Sequence, residues 1–184
     1  MTQLATATGG HLFWIASRAS GTVALLLASV AVAFGLMQGM RLFPRASRDL
    51  RPLHEALSLA TIAAIAIHGA VLLGDAYMSP NVADLTIPFV SPYQRGWTTL
   101  GIVAGWGLIA LGLSYYHRAR IGVARWRRLH RFTALFWLVG LAHSLGEGTD
   151  AGQVWFLLAV AIAVAPPLML LLLRPVNHLR EGIP

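Results

Sequence analysis

The chain has 184 residues, of which 57% are hydrophobic and 11% charged, and its mean hydropathy is +0.65. A soluble domain carries about 25% charged residues, so this composition excludes a soluble globular enzyme. Cysteine is absent, which excludes disulfide frameworks, thiolate metal sites and iron–sulfur clusters, while 14 arginines without a lysine against 7 acidic residues point to membrane orientation rather than nucleic acid.

Five apolar stretches, at 12–38, 52–75, 97–117, 128–147 and 153–174, are long enough to span a hydrocarbon core of about 30 Å. The first is preceded by eleven residues without Lys or Arg, so it reads as a span and not as a cleaved signal peptide. It carries one arginine, Arg18. The connection at 41–51 holds Arg41, Arg45, Arg48 and Arg51 and is bracketed by Pro44 and Pro52. The second span contains His54 and His68. Pro80, Pro88 and Pro92 break up the next connection, and the third span follows. The connection at 118–131 is the most basic, with Arg118, Arg120, Arg125, Arg127, Arg128 and Arg131. The fourth span is the shortest and holds His130 and His143. The fifth contains Pro166–Pro167, which predicts a kink. No internal repeat or low-complexity tract is evident.

Arginine placement orients the bundle. The connections at 41–51 and 118–131 and the tail (Arg174, Arg180) carry twelve arginines, against Arg95 alone on the opposite connections, where Asp75, Asp84, Glu147 and Asp150 fall. Positive charge marks the cytoplasmic side, so the N-terminus is expected outside and the C-terminus in the cytoplasm. The expectation is a single all-α membrane domain over 1–184, a bundle of about five transmembrane helices in the cell membrane in contact with lipid. The basic clusters alternate with spans and form no separate reader domain, so no nucleic-acid partner is expected.

Ionisable residues inside a membrane are costly and need partners. His54 and His68 are 14 residues apart, about 21 Å along a helix, and His130 and His143 are 13 apart, about 19.5 Å. Both helices start from the arginine-rich side and run parallel, so His54 shares a depth with His130, and His68 with His143. Two facing imidazoles suit axial ligation of haem iron, here non-covalent and b-type because no cysteine is present. Fourteen residues return to within about 40° of the starting face but thirteen miss it by about 140°, so either the fourth helix is irregular, with Gly140 the candidate point, or the haems approach it from different sides. The alternative is that the histidines are polar glue or proton relays in a haem-free scaffold or transporter. His11, His117 and His178 lie near interfaces, where solvated roles suit them.

The two histidine pairs, with thirteen and twelve intervening residues on helices separated by one span, resemble the ferric reductase-like transmembrane domain family. Leu53-His54-Glu55, Trp126-Arg127-Arg128-Leu129-His130 and the Trp14, Arg18, Gly21 pattern of the first span carry the same likeness. Ile87-Pro88-Phe89 and Gly148-Thr149-Asp150 resemble small bacterial members. The resemblance implies two b-type haems, one held by His54 and His130 near the cytoplasm and one by His68 and His143 near the outer face. It also suggests Arg18 as a partner for an outer haem propionate, with Arg128 and Arg131 toward the inner one. Large members have six spans and continue into flavin and NAD(P) domains; here five spans are read, and no Gly-rich nucleotide loop. The expected role is therefore an oxidoreductase component that passes electrons outward. Its donor would be a separate cytoplasmic flavoprotein or membrane quinol, and its acceptor an outer-face molecule. A narrower version is the haem-binding subunit of a methionine sulfoxide reductase system.

Overall fold

A computed structural model describes residues 2–42, 47–76 and 78–180, and every regular element among them is helical. Pro44 and Arg45 lie outside the described residues, as do the side chains of His11, Arg48, Arg174, His178 and Arg180. In chain order the helices are α1 (Thr2–Gly39), α2 (Ser47–Leu72), α3 (Val82–Thr86), α4 (Arg95–Leu113), α5 (Arg118–Ile121), α6 (Val123–His130), α7 (Thr133–Glu147) and α8 (Val154–Arg180), with a 3-10 turn at Ser114–His117.

Four segments are long and apolar enough to cross a membrane: Leu12–Gly39, Leu50–Leu72, Arg95–Ile121 and Val154–Leu173. The chain is thus a multi-pass membrane protein. The remaining apolar stretch, the fourth at 128–147, forms α7, whose 15 residues make about 22 Å of helix, short of the full core. Its expected irregularity is present, but at Arg131–Phe132, where a turn separates α6 from α7; Gly140 sits inside an unbroken helix. The basic connection is itself mostly helical. α5 and α6 meet at Gly122, whose φ of 88° suits a residue without Cβ. Pro52 lies inside α2, which starts earlier than expected, and α8 continues as helix through Pro166–Pro167, with Pro167 fully buried.

α1 packs against α2, α7 and α8, while α4 packs against α7 and α2. The core is built at helical spacing from Leu25, Ala28, Val32 and Leu36 of α1, with Phe156, Val160 and Val164 of α8 closing on Trp137 of α7. Small residues on α1 let the helices approach closely, which substitutes for the hydrophobic drive that lipid removes. Trp137 is 1% exposed, and its indole N–H donates to Ser29 Oγ at 3.0 Å; Ser29 in turn donates to the Leu25 carbonyl at 2.8 Å. In this way the most deeply placed polar groups are satisfied inside the bundle. Large side chains such as Ile162, Met169 and Leu172 of α8 are left on the outside, where lipid would meet them.

Candidate functional site

The four intramembrane histidines come together in the expected pairs. His54 and His130 face each other with ring centroids 6.3 Å apart and ring planes perpendicular. His68 and His143 are close enough to interact electrostatically at the other end of the bundle. Arg41, Arg51 and the 118–131 arginines share the His54–His130 end, and Asp75, Asp84, Glu147 and Asp150 share the other.

What holds the rings is a ladder of backbone carbonyls on the neighbouring antiparallel helices. His54 Nδ1 donates to the Ala31 carbonyl at 2.9 Å, and His68 Nδ1 to the Ser17 carbonyl at 2.9 Å. His143 Nδ1 donates to the Trp97 carbonyl at 3.0 Å. His130 Nδ1 faces the Leu111 carbonyl without closing a hydrogen bond of good geometry. Ser17 and Ala31 are 14 residues apart, and so are Trp97 and Leu111. A carbonyl only accepts, so Nδ1 carries the proton in the three bonded rings, and Nε2 is left as the lone-pair nitrogen. That is the tautomer a metal ligand requires.

One helical turn after each of three carbonyls stands a glycine. A Cβ on Gly35 would lie 3.2 Å from His54 Cε1, one on Gly21 3.1 Å from His68 Cε1, and one on Gly101 2.6 Å from His143 Cε1. The glycines let the rings lie against the backbone of α1 and α4. At the fourth position the residue is Tyr115. Here the ring of His130 is held instead by Trp126, stacked on it at 4.9 Å, and Tyr115 meets Trp126 edge-on at 5.9 Å. Trp126 is itself fixed, donating to Ser114 Oγ at 3.0 Å.

The α1–α2 hairpin and the α4–α6/α7 hairpin therefore repeat one device, although no sequence repeat announces it. The repeat also explains the unequal histidine spacings. Carbonyls 14 apart on α4 can serve histidines 13 apart only because the turn at Arg131–Phe132 resets the rotation between α6 and α7.

Arg18 lies at the His68–His143 end. It donates from Nε to Asp150 Oδ2 at 2.9 Å, pairs through Nη2 with Oδ1, and lies 4.1 Å over the Trp14 ring. Asp150, in the turn between α7 and α8, was legible in the sequence only as one of the acidic residues on that side. Glu147 is a further residue that spacing did not single out: its Oε2 is 3.0 Å from His143 Nδ1, and its Oε1 accepts from Thr98 Oγ1 at 2.9 Å. Only its place four residues after His143 on the same helix could have signalled it. Among the described residues no group of three or more His, Asp or Glu side chains is gathered as a bare metal ion would need.

The family of ferric reductase like transmembrane components matches residues 20–141, about two thirds of the chain. The protein belongs to this family. The matched region contains His54, His68 and His130, and stops just short of His143. No curated protein matches the chain, and no solved structure does. Membership supports a membrane electron-transfer role in general terms, and the paired histidines are the feature of this chain that such a role would use.

Proposed function

We propose that this ferric reductase-like protein binds two b-type haems, on His54 with His130 and on His68 with His143, and carries electrons across the membrane between them. The observation that carries the reading is the His54–His130 pair. Two iron–nitrogen bonds of about 2 Å plus the reach of each ring add to about 6 Å, which is the centroid separation of 6.3 Å. A pair bonded directly to each other would stand closer than this, and the His54 ring, bonded through Nδ1 to the Ala31 carbonyl, keeps its Nε2 lone pair for a ligand. A bound haem would supply reversible one-electron iron chemistry at each end.

The chain's own residues have two tasks. The carbonyls of Ala31, Ser17 and Trp97 fix the histidine tautomer and orientation before any ligand arrives, which reduces what binding must order. The histidines are half-buried between apolar helices, so lipid and a bound haem would complete the low-dielectric surroundings of each site. Arg18, already oriented by Asp150 and Trp14, stands where an outer propionate would meet it.

The basic end faces the cytoplasm in this reading, with a separate flavoprotein or membrane quinol as donor there and an outer-face acceptor at the acidic end. The membrane is the cell's cytoplasmic membrane. The test is a dithionite-reduced minus oxidised spectrum of the purified protein, with haem counted by pyridine haemochrome. A b-type α band with two haems per chain is expected. An absence of haem after expression with haem supplied would overturn the reading and favour a haem-free scaffold or transporter.

A further inference from the structure

The connection between α2 and α4 folds back along the outside of α4: the Trp106 indole N–H donates to the Thr86 carbonyl at 3.0 Å, and the Phe89 N–H donates to Thr99 Oγ1 at 2.9 Å. Trp106 lies eleven residues into α4, about 16 Å along its axis, so the segment runs beside the first three turns of a membrane span. Its polar groups are satisfied internally. Asn81 Oδ1 accepts from the N–H groups of Ala83 and Asp84, Asp84 Oδ2 accepts from the Asn81 N–H, and Thr86 Oγ1 donates to the Val82 carbonyl. Asp84, the one charged side chain of this stretch, is buried. The outward surface is the reverse of a soluble loop: Phe89 is 68% exposed and Val82 62%, with Ile87 and Val90 beside them. Phe89 also holds a φ of 67°, costly for a bulky residue, while leaving its ring on this surface.

We propose that residues 82–90 form a re-entrant segment that lies in the membrane leaflet at the acidic end, with lipid acyl chains covering Val82, Ile87, Phe89 and Val90. Non-helical backbone at membrane depth is tolerated only where its polar groups are met by protein, and here the Asn81, Asp84 and Thr86 side chains, the Ile87 and Phe89 N–H groups and the Thr86 carbonyl are met in that way. The chain has no cysteine, so single-cysteine variants give a clean test in lipid nanodiscs. Phe89→Cys should react with a membrane-impermeant maleimide about tenfold or more slower than Gln94→Cys, the factor that about 1.4 kcal/mol of protection gives. A fluorophore on Phe89→Cys should also be quenched by lipids brominated in their acyl chains. Fast labelling would place the segment in water and overturn the proposal. Slow labelling without bromolipid quenching would mean that protein covers it, and would overturn it equally.

A separate observation distinguishes one histidine from the other three. His143 Nδ1 has the Trp97 carbonyl and the Glu147 carboxylate both at 3.0 Å, whereas His54 and His68 have neutral partners and His130 has a carbonyl in view. The Nδ1 proton goes to the Trp97 carbonyl, and the carboxylate beside it receives no hydrogen bond but places negative charge next to the ring, which favours the more positive, oxidised state of a metal held there. On the two-haem reading, we infer that Glu147 is a positioning residue that sets the outer site at a lower reduction potential than the inner one. Thr98 Oγ1 lies 2.9 Å from the other carboxylate oxygen and 2.8 Å from the Tyr93 carbonyl, and its donation to Glu147, shared with that carbonyl, tempers the effect. A potentiometric titration of the loaded protein reads this directly. Glu147→Gln should raise one of two midpoints and Thr98→Ala should lower the same one, with two haems bound in each variant. A purely structural role would not move them in opposite directions, so any other pattern at full haem content overturns the assignment. Loss of the outer haem from both variants would also overturn it, because Thr98→Ala leaves His143 and Glu147 in place. Failure of the two-haem reading would show differently, as no haem in the unaltered protein.

Discussion

Gly101→Ala adds a single methyl group, and its cost follows from three distances. The new Cβ would stand 2.6 Å from His143 Cε1, 2.8 Å from Nδ1 and 2.9 Å from Nε2. The ring cannot simply swing aside, because Nδ1 is bonded to the Trp97 carbonyl one turn earlier on the same helix and approached by Glu147 from the other side. Overpacking of this kind costs about 1–3 kcal/mol. Losing the Nδ1 bond adds about 1 kcal/mol, and the better helix propensity of alanine returns about 1 kcal/mol. The net expectation is a loss of about 1–3 kcal/mol together with displacement of the His143 ring. Gly105→Ala is the internal control: its Cβ meets Ile65 Cγ2 at an ordinary 3.5 Å, so only the favourable propensity term acts. Thermal unfolding in detergent and haem counting would be read on both. Gly101→Ala should melt earlier and lose the haem of the His68–His143 end, while Gly105→Ala should keep both haems and melt no earlier. If Gly101→Ala proved as stable as Gly105→Ala with its haem content intact, the tight seat assigned to His143 would be wrong.

Other outcomes follow from the same geometry. His68→Ala should lose one haem and leave the other, and His54→Ala should do the converse; the spectra of the two single-haem proteins should sum to that of the unaltered protein. Trp137→Phe removes the buried indole bond to Ser29 and should cost about 1–2 kcal/mol in detergent unfolding without changing haem content, since Ser29 keeps its bond to Leu25. Asp150→Asn should weaken the tie between Arg18 and the α7–α8 turn. Because the Arg18 side chain is 32% exposed, screening limits the loss to about 1 kcal/mol, and amide exchange should accelerate chiefly across 148–153. Equal exchange in that turn before and after the substitution would mean the ion pair contributes nothing there.

The membrane class, the apolar stretches and the pairing of the histidines by depth were all legible in the chain itself. Hydropathy is a one-dimensional property, and 14 residues of helix advance a known distance whatever surrounds them. That arithmetic put His54 opposite His130 and His68 opposite His143, and it offered an irregularity in the fourth stretch as one of two ways to reconcile the spacings. It chose the wrong residue for that irregularity, Gly140, because glycine is a generic weak point. The turn at Arg131–Phe132 instead separates α6, where His130 stacks on Trp126, from α7, where His143 lies against Gly101.

Tertiary structure alone decided the rest. Which carbonyl each imidazole reaches depends on how α1 and α4 are rotated about their axes, and that rotation is fixed by contacts such as Trp137 with Ser29, 108 residues apart in the chain. The equal 14-residue steps from Ser17 to Ala31 and from Trp97 to Leu111 carry no signature of their own, since any residue type supplies a carbonyl. The pairing of Arg18 with Asp150, the approach of Glu147 to His143 and the folding of residues 82–90 onto Thr99 and Trp106 are likewise products of register between helices. Sequence determined which groups must lie within the membrane and at what depth, because transfer free energy and helical rise act locally. Only packing determined what those groups touch, because contact depends on the relative rotation of helices that the chain joins at a distance.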